Sequence, residues 1–112
     1  HSEDGLDEIS IFKNTNVIEI EDGNKRKFSI NPKDYVKHNY KFQDIIGDDA
    51  NYNCNRIIEL FSGNESAFLE IVSINCAAAL IVSNKENDFS NAFNSARNHI
   101  LSGKVLAKLA FV

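Results

Sequence analysis

Ile18-Glu19-Ile20-Glu21-Asp22-Gly23-Asn24-Lys25-Arg26-Lys27-Phe28-Ser29-Ile30 alternates apolar and charged residues on either side of an Asp-Gly-Asn turn signal. Side chains that switch faces at every residue build a strand with one wet and one dry face. An Asp-Gly step between two such runs is hairpin chemistry. Charge suggests the register. A three-residue turn of Asp22, Gly23 and Asn24 sets Glu21 opposite Lys25, Glu19 opposite Lys27 and Ile18 opposite Phe28. Ile18, Ile20, Phe28 and Ile30 then face a core, with Arg26 at its edge. A two-residue Asp-Gly turn would place Ile20 against Lys25 and Ile18 against Lys27, mixing the faces. The three-residue turn is therefore expected. Pro32 closes the second strand after Asn31. Upstream, residues 9–12 (Ile-Ser-Ile-Phe) read as a short β-rich segment. Residues 33–47 read as irregular, with one helical turn near Phe42–Ile46.

Beyond the hairpin the period changes to that of helices. Asp48 or Asp49 can cap a helix whose stripe is Ala50, Cys54, Ile57, Ile58 and Phe61, ended by Gly63. Asn64 is the expected cap of the next helix, with Glu65 in its first turn. From Ala67 to Val82 that helix is apolar nearly all round, interrupted by Glu70, Ser73 and Asn75. It reads as a central core helix, because a membrane span needs about 20 apolar residues. Asn75, placed there, needs a hydrogen-bond partner. A third helix starts near Asn87 or Asp88, presents Phe89, Ala92, Phe93, Ala96 and Ile100, and stops at Gly103. Arg97 and His99 lie in its last turns, where positive charge suits the helix end. Residues 104–110 can form a last short helix. Strands first and helices afterwards give an α+β order.

The chain has 112 residues, the size of one domain or a piece of one. Its net charge of −4 argues against a protein that grips nucleic-acid phosphates. Cys54 and Cys76 are too few for a disulfide scaffold and read as small apolar residues in a reducing compartment, the cytoplasm. No methionine occurs, not even at position 1, and His1-Ser2-Glu3-Asp4 does not resemble a leader. The expectation is a fragment whose N-terminal part is missing. Hydrophobic faces cut away from their partners would then promote self-association of the piece.

Four carboxylates, Glu3, Asp4, Asp7 and Glu8, fall in the first eight residues. They can be a solvated acidic end, or adjacent Asp7 and Glu8 can place two oxygen ligands near a hard cation such as Mg²⁺. The spacing is not that of a calcium loop. His1, His38 and His99 are too dispersed for a zinc site. Ser102-Gly103-Lys104 lacks the first glycine of a phosphate loop, and no nucleophile elbow is present.

The segment His1-Ser2-Glu3-Asp4-Gly5-Leu6-Asp7-Glu8-Ile9-Ser10 resembles the His-Gly-x-Asp-Gly-Leu-Asp-Glu-Ile-Ser string of the anthranilate phosphoribosyltransferase family. The likeness continues in order through Thr15-Asn16-Val17, Asn31-Pro32-Lys33-Asp34-Tyr35, Asn75-Cys76-Ala77-Ala78-Ala79-Leu80, Ala96-Arg97 and Ser102-Gly103-Lys104 with Ala107 and Leu109. It covers all of this chain but only about the last third of the family's chain.

The resemblance implies an α+β fragment of an α/β domain. The hairpin and three to four helices would complete a nucleoside phosphorylase/phosphoribosyltransferase-type catalytic domain. Residues 1–112 would be its C-terminal portion, with the metal motif, strand and hairpin in 1–32 and the helical part in 48–112. The implied reaction is transfer of phosphoribosyl from phosphoribosyl pyrophosphate to anthranilate in tryptophan biosynthesis. The implied cofactor is Mg²⁺, held by Asp7 and Glu8, and the implied state of the complete enzyme is a homodimer. No catalytic residue is expected within the chain. The substrate-binding residues are expected upstream of His1, so the piece alone should be inactive. Ser2 departs from the family's glycine, and Cys76 from a common alanine. A pyrimidine nucleoside phosphorylase, a nucleic-acid-binding paralogue and a non-catalytic interaction module are the competing readings. The net acidity and the intact Asp7-Glu8 pair disfavour the paralogue.

Overall fold

The structure, a computed structural model, describes residues 1–110. Its elements are β1 (Thr15–Glu21), β2 (Asn24–Ile30), α1 (Ala50–Phe61), α2 (Ala67–Val82), α3 (Phe89–Leu101) and α4 (Lys104–Leu109). Two short 3₁₀ turns, Pro32–Asp34 and Phe42–Ile45, punctuate the link between β2 and α1. A two-stranded antiparallel hairpin followed by four helices is the expected order.

The register differs from the expected one. Glu21 pairs with Asn24, Ile20 with Lys25, Glu19 with Arg26, Ile18 with Lys27 and Val17 with Phe28. Asp22 (φ 49°) and Gly23 (φ 79°) alone form the turn, both left-handed. That is the two-residue turn whose twist matches the strands, and Asp-Gly is among the sequences that tolerate it. Turn stereochemistry outweighs the exposed charge pairs, each worth only a few tenths of a kcal/mol. The one-residue slip reverses the face of β1. Thr15 and Ile30 are buried and Val17 and Phe28 half-buried, while Ile18 and Ile20 are 57% and 72% exposed. One ion pair survives the change in another form. Arg26 Nε donates to Glu19 Oε2 at 2.8 Å, and its guanidinium lies over the Phe28 ring. Residues 9–12 form no strand, and the chain bends from Ile11 on.

Helix starts follow local chemistry. The Asp49 carboxylate caps α1 by accepting from Tyr52 N–H, and Asp88 caps α3 by accepting from Asn91 N–H. The cap of α2 is Ser66, which accepts from Leu69 N–H, not Asn64. Glu65 therefore lies outside the helix and is free to reach elsewhere. α1 ends at Gly63 (φ 86°), which passes so close to the Leu101 carbonyl that a Cβ would lie 3.2 Å from its oxygen.

The core forms where α2 lies against α3. Ile74, Ala77, Ala92 and Phe93 meet Ile11, Ile30 and Val36 from the first half of the chain. Tyr35 meets Phe89 edge-on and Phe93 at a tilt, with ring centroids 5.1 and 5.8 Å apart, fixing the link after β2. Leu60, Leu69 and Ile100 make a second cluster that anchors α1. The stripe expected to bury α1 does so only at its end. Phe61 is half-buried, whereas Ala50, Cys54, Ile57 and Ile58 are exposed. Cys54 and Cys76 are free and lie at the surface rather than packed. No helix among the described residues is long and apolar enough to cross a membrane.

Candidate functional site

The candidate site is the loop before β1, and its shape is set at both ends. At its start Asp4 Oδ1 accepts from Ser2 Oγ–H at 2.5 Å and from Leu6 N–H at 3.2 Å, and Oδ2 accepts from Ser10 Oγ–H at 2.5 Å. Ser10 Oγ in turn accepts from Phe12 N–H and Lys13 N–H. Ser2 and Ser10 are both fully buried. Gly5, at φ 88°, lets the chain reverse beside Asp4. Ser2 in place of glycine thus supplies a hydroxyl to the loop, and its own backbone needs no glycine conformation.

At the other end Asn75, on α2, holds Ile9 through both halves of its amide. Ile9 N–H donates to Asn75 Oδ1 at 2.9 Å, and Asn75 Nδ2 donates to Ile9 O at 2.9 Å. The partner expected for Asn75 is therefore the loop itself. Leu6 and Ile9 pack against the core, while Asp7 and Glu8 between them are exposed. Two apolar anchors thus turn the two carboxylates outward.

Of the four early carboxylates the structure uses one internally. Asp4 is committed to Ser2, Ser10 and Leu6. Partial burial pushes its carboxyl up, but the hydroxyls of Ser10 and Ser2 and the Leu6 N–H outweigh this and hold it below the usual aspartate range. The signal was present in the sequence, since Asp-Gly-Leu favours a side chain bonding its own backbone two residues on. A depressed folded-state value stabilises the protein fully above the unfolded-state value, about 3.9, and this is lost as pH falls through the folded value. Urea midpoints are accordingly expected to drop between about pH 4 and more acidic conditions, with a shallower drop in Asp4→Asn. Parallel profiles for the two proteins would contradict this assignment.

Asp7 and Glu8 take part in no salt bridge or hydrogen bond among the described residues. No group of three or more His, Cys, Asp or Glu that could hold a metal occurs among those residues. The loop therefore offers two hard oxygen donors and no closed cage. That donor set suits Mg²⁺, which keeps several waters and is commonly held by one or two carboxylates plus substrate phosphates. The three histidines contribute no ligand cluster.

The sequence places Arg97 as a complement to a helix end. Instead its Nη2 donates to Glu65 Oε1 at 2.9 Å and its Nε to Glu70 Oε1 at 3.1 Å. Glu70 is 3% exposed, and a buried carboxylate needs such a partner. Lys37, His38 and Asn94 join these three around a polar cavity of about 270 Å³. An apolar groove runs between α2 and α3, lined by Cys76, Leu80 and His99 among others. Neither is lined by Asp7 or Glu8.

The chain belongs to the glycosyl transferase family, a/b domain, whose family model matches residues 1–106. Several of its relatives within that class share one name. An anthranilate phosphoribosyltransferase of Pelagibacter ubique is 46% identical over 107 residues, covering 93% of this chain and 32% of the relative. Anthranilate phosphoribosyltransferases of Petrotoga mobilis and Agrobacterium fabrum are 34% and 35% identical, over 97% and 95% of this chain. The chain spans about a third of the length of these relatives, 32%, 32% and 31%.

Proposed function

We propose that this chain is the C-terminal part of an anthranilate phosphoribosyltransferase. The complete protein would transfer phosphoribosyl from phosphoribosyl pyrophosphate to the amine of anthranilate, a step in tryptophan biosynthesis. The observation that carries the reading is the 46% identity over 107 residues with a relative of that name. The outward pair Asp7-Glu8 supports it chemically.

In the reaction the C1–O bond to diphosphate breaks and a bond from C1 to the anthranilate nitrogen forms. Diphosphate leaves with the electron pair, and the nitrogen loses a proton. Bound Mg²⁺ supplies charge neutralisation and a template for the departing diphosphate. Asp7 and Glu8 offer carboxylate oxygens to it. Asp4, Leu6 and Ile9 hold the loop so that those oxygens face solvent. An acidic loop would attract a divalent cation, whose charge would offset the loop's own toward phosphates, so a net charge of −4 is compatible with a phosphate-rich substrate.

The test is an assay of the complete protein with both substrates. Anthranilate consumption is expected with Mg²⁺ and its loss on chelation, while residues 1–112 alone should not turn over. A complete protein inert toward both substrates with Mg²⁺, or turnover by the isolated piece, would refute the proposal.

A further inference from the structure

We propose that Asn75 is a positioning residue for the Asp7-Glu8 pair, tuning metal affinity from α2 without touching the ion. This rests on the magnesium reading above. The N–H that Asn75 Oδ1 accepts belongs to the peptide joining Glu8 to Ile9, so the amide fixes the plane from which the Glu8 side chain departs. The bond from Asn75 Nδ2 to Ile9 O fixes the next plane. A third bond, from Nδ2 to Ile71 O at 2.9 Å, ties the amide to its own helix and locks its rotamer. One side chain thus imitates a neighbouring strand for a loop segment that has none, over a separation of 66 residues.

The consequence is preorganisation. Adjacent carboxylates repel each other, and a free loop would relax by turning one away. Ordering it again on metal binding would cost conformational entropy. With Asn75 and the Ile9 side chain on one flank and Asp4 and Leu6 on the other, the backbone that carries both carboxylates is held in place before an ion arrives. Groups that orient metal ligands in this way typically contribute 10- to 100-fold in affinity.

The test is Mn²⁺ binding to the complete protein, followed by electron paramagnetic resonance with and without diphosphate. Asn75→Ala is expected to raise the Mn²⁺ dissociation constant roughly tenfold. Asn75→Leu, which keeps the volume and removes the amide, should do the same. Leu69→Ala, in the separate cluster with Leu60 and Ile100, should lower the melting temperature and leave Mn²⁺ affinity alone. Unchanged affinity in both Asn75 variants would overturn the proposal and leave Asn75 a fold residue. Unchanged affinity in Asp7→Asn would overturn the magnesium reading itself, a separable result.

Discussion

Asp7→Asn or Glu8→Gln in the complete protein is expected, on the proposed function, to lower turnover by roughly 10²- to 10³-fold, the loss of about 3–4 kcal/mol of charge stabilisation on the departing diphosphate. Each substitution keeps the side chain's shape and removes one anionic oxygen ligand. Stability should hardly move. Both residues are exposed, and neither carboxylate has a partner among the described residues whose loss would leave a buried group unsatisfied. The loop's shape is set by Asp4, Leu6, Ile9 and Asn75, none of which is altered. Part of the loss should be recovered by raising Mg²⁺, because a weakened site still fills by mass action. Kinetics at limiting and saturating Mg²⁺, with a melting curve for each variant, check this. Wild-type rates at both concentrations would remove the two acids from the chemistry.

Ile74→Ala is expected to cost about 2–5 kcal/mol of folding stability. Ile74 has no exposed surface and sits where α2 meets α3 and the hairpin side of the core, so truncation leaves a cavity among Ile11, Ile30 and Phe93. The hairpin supplies the contrast. Ile20 is 72% exposed opposite Lys25, and Ile20→Ala should stay within about 0.5 kcal/mol. In the register with a three-residue turn Ile20 would face the core, and its truncation would cost several times more. Urea unfolding of the two variants therefore tests the core and the register together. Equal losses would contradict the observed pairing.

Much of this architecture was legible along the chain. The helix from Ala67 to Val82, the stripe of α3, a cap at Asp48 or Asp49 and a start at Asn87 or Asp88, the stops at Gly63 and Gly103 and the final helix all follow from signals within a turn or two. The carboxylate pair was legible as well, because neighbouring positions in a motif survive any folding. The structure departs from the sequence expectation where two local signals compete. At the hairpin, paired charges argued for three turn residues and backbone stereochemistry for two, and the backbone prevailed because surface charge pairs are weak. At α2, Ser66 and Asn64 both had capping side chains, and the structure uses Ser66 as the cap while Glu65 reaches Arg97.

Local hydrogen bonding and side-chain periodicity were enough to specify the hairpin, four helices and a loop bearing two adjacent acids. They could not specify which acids stay free, because that depends in part on residues far apart in the chain. Asp4 is taken by Ser2 and Ser10, Arg97 by Glu65 and Glu70, and Ile9 by Asn75. The Arg97 and Ile9 contacts exist only once α2 lies beneath the loop and against α3, whereas Asp4 finds its partners within six residues. Burial then makes any unpaired polar group costly and so selects the partners. The carboxylates of Asp7 and Glu8 are left without partners among the described residues, facing solvent, and so available to a ligand.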